Sequence, residues 1–236
     1  MGTGVLWGAG WAGGAVLAAF FVSSSLVSRV APRLARRGGA RVRPDTAAPL
    51  DAKGDCRDRW QVLANGGAAA AGALTAGAAL GDRPLALALV TASLAAAAAD
   101  TWATSIGETS PVPPRHLLTG RVVPTGTSGG ITRRGTLGAA AGALLVAATG
   151  GLASGDAGLV AAATLLGLFG MLADSALGAA LQGRFACPAC GVPSEWPVHR
   201  CGTRTRHLGG LRWLNNDGVN LLATCLAALL ALAWRR

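Results

Sequence analysis

Six long apolar runs, separated by polar segments, divide this 236-residue chain. About 20 apolar residues in a helix cross the hydrocarbon core of a bilayer, and each run is long enough to do so. The pattern therefore predicts an all-α, polytopic integral membrane protein with about six transmembrane helices in a single membrane domain. The predicted spans are residues 5–27, 60–80, 84–106, 135–153, 157–181 and 214–234.

The basic residues are distributed unevenly among the polar segments. Eighteen of the 21 lysines and arginines lie in or beside three long segments, the basic loop 28–59, the loop 107–134 and the Cys/His-containing loop 183–213. The positive-inside rule places these segments in the cytosol and both termini outside. Trp60, Trp102 and Trp213 then lie at cytosolic ends of spans, where aromatic belts form. We therefore expect a multi-pass protein of the cell (inner) membrane.

The composition narrows the choice of partner. Hydrophobic residues make up 51% of the chain and charged residues 14%, whereas soluble proteins average about 25% charged. The formal net charge is +10, but the arginines lie between apolar runs, which indicates topology and phosphate-bearing partners rather than nucleic acid. Spans rich in alanine and glycine allow helices to pack closely, and a homo-oligomer is compatible with them.

Three aspartates lie near the predicted cytosolic ends of different spans: Asp100, Asp174 and Asp217. Ionisable residues within spans are costly, and convergent carboxylates hold Mg²⁺ against substrate phosphates. Hydrogen bonding between helices, or pairing with arginine, is the structural alternative. Four asparagines on the same side are candidates to orient the metal or a nucleotide: Asn65, Asn215, Asn216 and Asn220.

A loop rich in glycine and hydroxyl groups precedes the fourth span. Consecutive glycines expose backbone N–H groups, and a helix N-terminus favours anions, so this loop is a candidate phosphate cradle. It lacks the Gly-Lys-Ser/Thr of a Walker A loop, and a plain turn before a helix is the alternative. The candidate residues are Gly126, Thr127, Ser128, Gly129 and Gly130, with Arg133 and Arg134.

A third group combines Cys187, Cys190, His199 and Cys201 within one loop. Their number and spacing suit a tetrahedral structural Zn²⁺ site, with reduced thiols as the rival interpretation. Four protein ligands leave no open position for catalysis. The remaining loop residues Glu108, His116 and His207 are interpreted as surface or substrate-peripheral positions, with a place near phosphate as the alternative for His116. Asp58 is interpreted as a weaker fourth carboxylate. Cys56 and Cys225 are interpreted as isolated cysteines.

Five segments in this order resemble a known family: 58–66, 99–107, 123–136, 174–182 and 213–220. Together they are similar to the integral-membrane domain-of-unknown-function ninety-two family, which includes phytyl-phosphate kinases of plants and cyanobacteria and animal transmembrane protein nineteen. The resemblance implies a membrane-embedded kinase that converts an isoprenyl monophosphate into the diphosphate. Its donor would be a nucleoside triphosphate, CTP by analogy, with Mg²⁺.

Two departures from the family pattern leave alternatives open. The family usually has Glu at the position of Ser105 and often has Asn at the position of Ala99; Glu108 lies nearly one turn beyond Ser105. A catalytically inactive member is therefore one alternative. A lipid or small-molecule transporter or flippase is another, although such proteins carry midplane carboxylates and inverted repeats, which this chain lacks. A CDP-alcohol phosphotransferase is disfavoured, because its aspartate motif is absent.

Overall fold

The fold of the chain is given by a computed structural model that describes residues 1–37, 59–194, 196–199 and 201–235. Within these residues, six helices are long and apolar enough to cross a membrane, which confirms the predicted all-α polytopic architecture. Helix α2 continues into a π-helical segment, Ala73–Ala79. The helices are α1 (Gly2–Arg37), α2 (Arg59–Gly72), α3 (Arg83–Gly107), α4 (Arg133–Ser154), α5 (Ala157–Leu181) and α6 (Asn216–Arg235).

Helix α3 lies at the centre of the bundle and packs against α1, α2, α4, α5 and α6. Every residue from Ala86 to Ala99 is buried, as expected for a helix that is apolar on all sides. Asp100 follows this run directly and is only half-buried. The central helix thus carries a carboxylate where its fully apolar stretch ends.

Glycines bring α4 and α5 close to α3. A Cβ atom on Gly142 would lie 2.8 Å from the Trp102 ring, and one on Gly170 would lie 2.6 Å from the Ala96 Cβ. Larger side chains at these positions would push the helices apart. The small residues of the sequence therefore act as predicted, by allowing close helix contacts inside the membrane.

Side-chain caps fix where three spans begin. Asp82, Thr132 and Asp156 accept hydrogen bonds from the backbone N–H three residues later, at 2.9–3.0 Å. Asp156 also binds Arg235 at the end of α6, which joins α5 and α6 on that side. The Leu159 N–H and the Arg235 guanidinium lower the pKa of the Asp156 carboxyl below its usual range.

The first two spans differ from the prediction. Helix α1 continues to Arg37 instead of ending at residue 27, so the first part of the expected 28–59 loop is helical. In α2, the π-helical segment passes close to α1, and a Cβ atom on Gly8 would lie 1.8 Å from the Ala73 carbonyl oxygen. The rest of that loop, with Asp58 and Cys56, lies outside the described residues.

Two small sheets form in the loops after α3 and α5. Spans that alternate in direction place these two loops on the same side of the bundle, where α3 and α5 end and α4 and α6 begin. The first sheet pairs β1 with β2, and the second has the antiparallel order β4-β3-β5. The strands are β1 (Arg115–His116), β2 (Gly130–Ile131), β3 (Arg184–Ala186), β4 (Pro193–Ser194) and β5 (Arg206–Gly209).

Candidate active site

Two of the three predicted aspartates lie at the same depth in the bundle. Asp100 precedes the end of α3 by seven residues, and Asp174 precedes the end of α5 by seven. At 1.5 Å per residue, each carboxylate lies about 10 Å along the axis from the end of its helix. Because α3 and α5 run in the same direction and pack together, these side chains come from adjacent helices, between the middle of each helix and its C-terminal end.

The structure brings these two carboxylates together. Asp174 is 8% exposed, and its carboxylate is near enough to that of Asp100 to interact electrostatically. The buried Asp174 Oδ2 has no hydrogen-bond partner. No arginine in the described part of the chain pairs with either group. Two neighbouring carboxylates without a paired arginine concentrate negative charge at one place. Such a site favours a bound cation.

Helix α6 contributes the third aspartate and a buried amide. Asp217 and Asn216 are half-buried in its first turn. Asn220 is 8% exposed, and its buried Oδ1 has no hydrogen-bond partner. Asn215 has a local role, since its Oδ1 accepts a hydrogen bond from the Gly218 N–H at 3.0 Å. Asn220 of α6 thus offers a buried acceptor, whereas Asn215, directly before α6, is engaged at the helix start.

Asn65 lies on α2, next to a contact with α6. The Thr224 hydroxyl donates to the Ala64 carbonyl oxygen at 3.1 Å, across the interface of these two helices. Asn65 follows Ala64 directly and is half-buried. The sequence does not mark Thr224 as part of this contact, because a hydroxyl within an apolar helix gives no signal of its partner.

The glycine loop rests on the end of α5. Gly129 has a φ of +77°, and a Cβ atom there would lie 2.4 Å from the Ala179 Cβ and 2.8 Å from the Ser175 carbonyl oxygen. Ser128 donates its hydroxyl hydrogen to Gln182 Oε1 at 2.7 Å. These contacts hold the loop against the helical turn that follows Asp174. The loop and the buried carboxylate are therefore parts of one local structure.

Some of the donors predicted to cradle a phosphate are used within the protein. The Thr127 N–H and hydroxyl both donate to the Pro124 carbonyl oxygen, and the Gly130 N–H donates to Thr127. Arg134 donates to the Thr109 carbonyl oxygen at 3.2 Å, whereas Arg133 is exposed at the start of α4. The loop is thus a braced turn, and its outward groups, not all its donors, are available to a ligand.

Two further polar side chains have partners that the sequence does not specify. His116 pairs with Gly130 in the two-stranded sheet, and its buried Nδ1 has no hydrogen-bond partner, so it adjoins the glycine loop that was predicted to bind phosphate. Ser105 is buried against α1, where its hydroxyl lies 3.1 Å from that of Ser28. Short strand pairings and contacts between distant helices leave no periodic signal in a sequence.

The four predicted zinc ligands converge in the loop after α5. One ligand atom from each of Cys187, Cys190, His199 and Cys201 lies within 4.8 Å of all the others. The Cys187 and Cys201 Sγ atoms are 3.6 Å apart, close to the separation of about 3.8 Å that two thiolates on a tetrahedral Zn²⁺ would have. This cluster can bind a metal ion such as zinc.

Two tight turns present these ligands. Gly191, with a φ of +68°, closes the turn that begins at Cys187, and Gly202, with a φ of +83°, closes the turn that begins at His199. Hydrogen bonds from Thr203 and His199 lower the pKa of the Cys201 thiol to about 5. We call residues 183–213, with these turns and the three-stranded sheet, the knuckle unit.

Comparison with known proteins identifies the family of this chain. Residues 1–228 match the family model described as integral membrane protein DUF92. The chain is 30% identical to Protein PGR of Arabidopsis thaliana over 94% of this chain and 81% of that protein. It is 34% identical to uncharacterized membrane protein MJ0933 of Methanocaldococcus jannaschii over 58% of this chain and 47% of that one. No solved structure matches. The chain therefore belongs to the integral membrane protein DUF92 family.

Proposed function

We propose that this protein is a membrane-embedded kinase that transfers a phosphoryl group from a nucleoside triphosphate to an isoprenyl monophosphate. The phytyl-phosphate kinases in the family that the sequence resembles suggest both the acceptor class and CTP as the donor. The observation that carries the proposal is the close pair of carboxylates, Asp100 and Asp174, beneath a braced glycine loop.

The carboxylate pair fits a resident divalent cation. Phosphoryl transfer depends on positioning and charge compensation, and Mg²⁺ is commonly held by one or two carboxylates and the substrate phosphates. Asp100 and Asp174 would hold the ion, with Asp217 as the third candidate ligand. Asn220 Oδ1, buried without a hydrogen-bond partner, offers a further oxygen from α6. When bound, the ion would neutralise charge on the phosphates.

The residues around the pair would bind and orient the phosphates. The glycine loop, Gly126–Gly130, leads through Thr132 into the N-terminus of α4, where the helix dipole favours anions. Arg133 is exposed at that helix start and would add positive charge. The depth of the carboxylates, about 10 Å from the helix ends, suits an acceptor whose phosphate is near the surface and whose tail remains in the bilayer.

The knuckle unit would hold a structural zinc ion through Cys187, Cys190, His199 and Cys201. The four ligands would fill a tetrahedral shell, so the ion would brace the loop without reacting with a substrate. In the predicted topology, the knuckle unit and the glycine loop are cytosolic, where a nucleoside triphosphate is present, and both termini are outside.

The position of the carboxylates and the absence of a repeat in the sequence favour the proposal over its rivals. A transporter binds its substrate near the midplane between inverted repeats, whereas Asp100 and Asp174 lie on the loop side of the middle of their helices and the sequence shows no inverted repeat. The inactive-member alternative rests on Ser105. That residue contacts Ser28 of α1, while the Asp100 carboxylate interacts with Asp174 of α5. Absence of the usual Glu at this position therefore leaves the carboxylate pair in place.

A transfer assay tests the proposal. Purified protein in nanodiscs receives Mg²⁺, radiolabelled CTP or ATP, and a series of prenyl monophosphates of increasing chain length. We expect a labelled prenyl diphosphate that disappears when EDTA removes the divalent cation. Failure of folded protein to transfer phosphate from any nucleotide would contradict the proposal, and Ser105→Glu would then show whether the inactive-member alternative explains the failure.

A further inference from the structure

The knuckle unit contains a cavity of about 410 Å³, within the range of small-molecule sites in proteins. It lies between the hairpin that presents His199 and Cys201 and the sheet formed by β3 and β5. The arms of the hairpin are joined by the bridge between Val198 and Arg204 and by the hydrogen bond from the Thr205 N–H to the Pro197 carbonyl oxygen. The cavity is thus part of a regular, hydrogen-bonded unit.

One wall of the cavity is apolar. Phe185 of β3, which is 4% exposed, lines it from the sheet, and Pro197 and the exposed Val198 line it from the hairpin. The His207 imidazole packs beside Phe185, with ring centroids 5.2 Å apart and planes inclined at 58°. Aromatic and aliphatic surfaces of this kind suit a flat ring, such as a nucleobase.

Basic and polar side chains also line the cavity. Arg204 and Arg212 line the cavity, and both side chains are exposed. His207 lines it as well, and its buried Nε2 has no hydrogen-bond partner. Arginine recognises phosphate through paired N–H donors, and an unpaired imidazole nitrogen adds a hydrogen-bonding group at the same place. The cavity therefore combines a surface for a ring with positive charge for phosphates.

We propose that this cavity binds the nucleoside triphosphate, with the base against the apolar wall that includes Pro197 and Val198 and the phosphates toward Arg204 and Arg212. This inference rests on the proposed function, which requires such a donor. The knuckle unit follows the last turn of α5, and Gly183 is joined to the start of α6 by its hydrogen bond to the Leu214 carbonyl oxygen. The cavity thus lies on the membrane face toward which Asp174 lies, outside the spans, where a water-soluble ligand can enter.

The cavity lies beside the turns that carry the four candidate metal ligands. Val198 and Arg204 flank the turn that carries His199 and Cys201, while Cys187 follows Phe185 by two residues. An ion bound by these ligands would fix the hairpin relative to the sheet. The structure thus links the knuckle's cluster of cysteines and histidine to a binding surface.

Nucleotide binding to the intact protein in nanodiscs tests the inference. The probe is CTP, titrated against the wild type, Arg204→Gln and Arg206→Gln. Both variants lose one exposed arginine from the same segment, but Arg206 does not line the cavity. We expect Arg204→Gln to raise the Kd about tenfold, as the loss of a charged hydrogen bond would, and Arg206→Gln to change it less than about twofold. Equal zinc content would show that the knuckle unit is intact in both.

Two results would overturn the assignment. One is equal Kd values for the two variants, and the other is no CTP binding by the wild type. A phospholipid headgroup is the other source of phosphate, so the titration is repeated in nanodiscs with and without anionic lipid. Binding of labelled anionic lipid that depends on Arg204, without CTP binding, would assign the cavity to the lipid instead.

The outcomes also separate this inference from the proposed function. CTP binding that requires Arg204 in a protein that transfers no phosphate would support the cavity and contradict the kinase. Transfer with an unchanged KM for CTP in Arg204→Gln would support the kinase and contradict the cavity.

Discussion

Asp100 and Asp174 place two acidic side chains at one depth, between neighbouring helices, with no described arginine beside them. Burial makes charge expensive, and two like charges increase the cost unless a cation or proton compensates. Two carboxylates that served only for packing would therefore lower the stability of the fold. The divalent cation that we propose would compensate both carboxylates at this position.

Gly129 gives a test of the loop at the scale of one residue. Gly129→Ala would introduce a Cβ atom 2.4 Å from that of Ala179, in addition to strain at a positive φ. We expect the loop to move away from α5 and the transfer rate to fall at least about tenfold, the effect of roughly 1.4 kcal/mol in the barrier. The measurement is the initial rate of transfer, with thermal unfolding followed in parallel.

Gly120→Ala is the matched control for this variant. Gly120 also has a positive φ, +66°, but a Cβ atom there would have no neighbour within 4 Å. Both alanine variants therefore share the backbone strain, and only Gly129→Ala adds the clash with α5. Equal losses of activity in the two would show that the contact between the loop and α5 does not matter.

The sequence identifies which side chains are unusual but not which of them meet. An aspartate in an apolar helix is visible as a costly residue, so Asp100 and Asp174 could be predicted as a pair on one side. The bond between Ser128 and Gln182 and that between Ser28 and Ser105 could not, because each joins residues more than 50 positions apart. The local roles of Thr127 and Arg134 likewise depend on turn geometry.

At the scale of elements, the predicted helix starts lie within three residues of the observed ones, whether or not a side-chain cap is present. Helix α5 begins at Ala157 as predicted, after Asp156, and α3 begins one residue before the predicted start, after Asp82. The predicted end of the first span, residue 27, was wrong for α1, because residues beyond the apolar run can continue a helix outside the bilayer. The π-helical segment depends on the close approach of Gly8 and Gly77, which no local pattern reveals.

At this scale, we predict how much zinc the knuckle unit binds. Cys187→Ser removes the buried ligand of the cluster, whereas Cys225→Ser removes a cysteine of α6 outside it. We expect the wild type and Cys225→Ser to carry about one zinc per chain and Cys187→Ser to carry almost none, since tetrahedral sites need all four ligands. Metal analysis of purified protein provides the measurement. Wild-type protein without bound metal after expression in zinc-containing medium would contradict the zinc assignment.

At the scale of the whole molecule, the arrangement of spans places the functional loops together. The glycine loop and the knuckle unit follow α3 and α5, which end on the same side of the bundle, and α6 begins there. The six spans and this common side could be derived from the sequence, because hydropathy sets the number of spans and alternation sets the side of each loop. The order in which helices pack around α3 could not.

The orientation in the membrane is a separate prediction at this scale. The excess of arginine predicts that the loops with the candidate site are cytosolic. A reporter that fluoresces only in the cytosol, fused after Thr119 in a truncated chain, should be bright. The same reporter fused after Gly155, in the short turn between α4 and α5, should be dark. The reverse pattern would place the site outside and remove its access to cytosolic nucleotide.

The measurement that tests the central claim most directly is the rate of prenyl-phosphate phosphorylation by Asp174→Asn and Asp82→Asn. Each variant exchanges one carboxylate for an amide of the same shape. Asp82 caps α3 at the opposite end of the bundle, where asparagine caps equally well.

We expect Asp174→Asn to lose at least about 100-fold in rate while it remains folded, because charge compensation carries most of phosphoryl transfer. Asp82→Asn should stay within about twofold of the wild type, since neither metal nor phosphate would contact it. Near-wild-type transfer by folded Asp174→Asn would contradict the assignment of Asp100 and Asp174 as the catalytic centre.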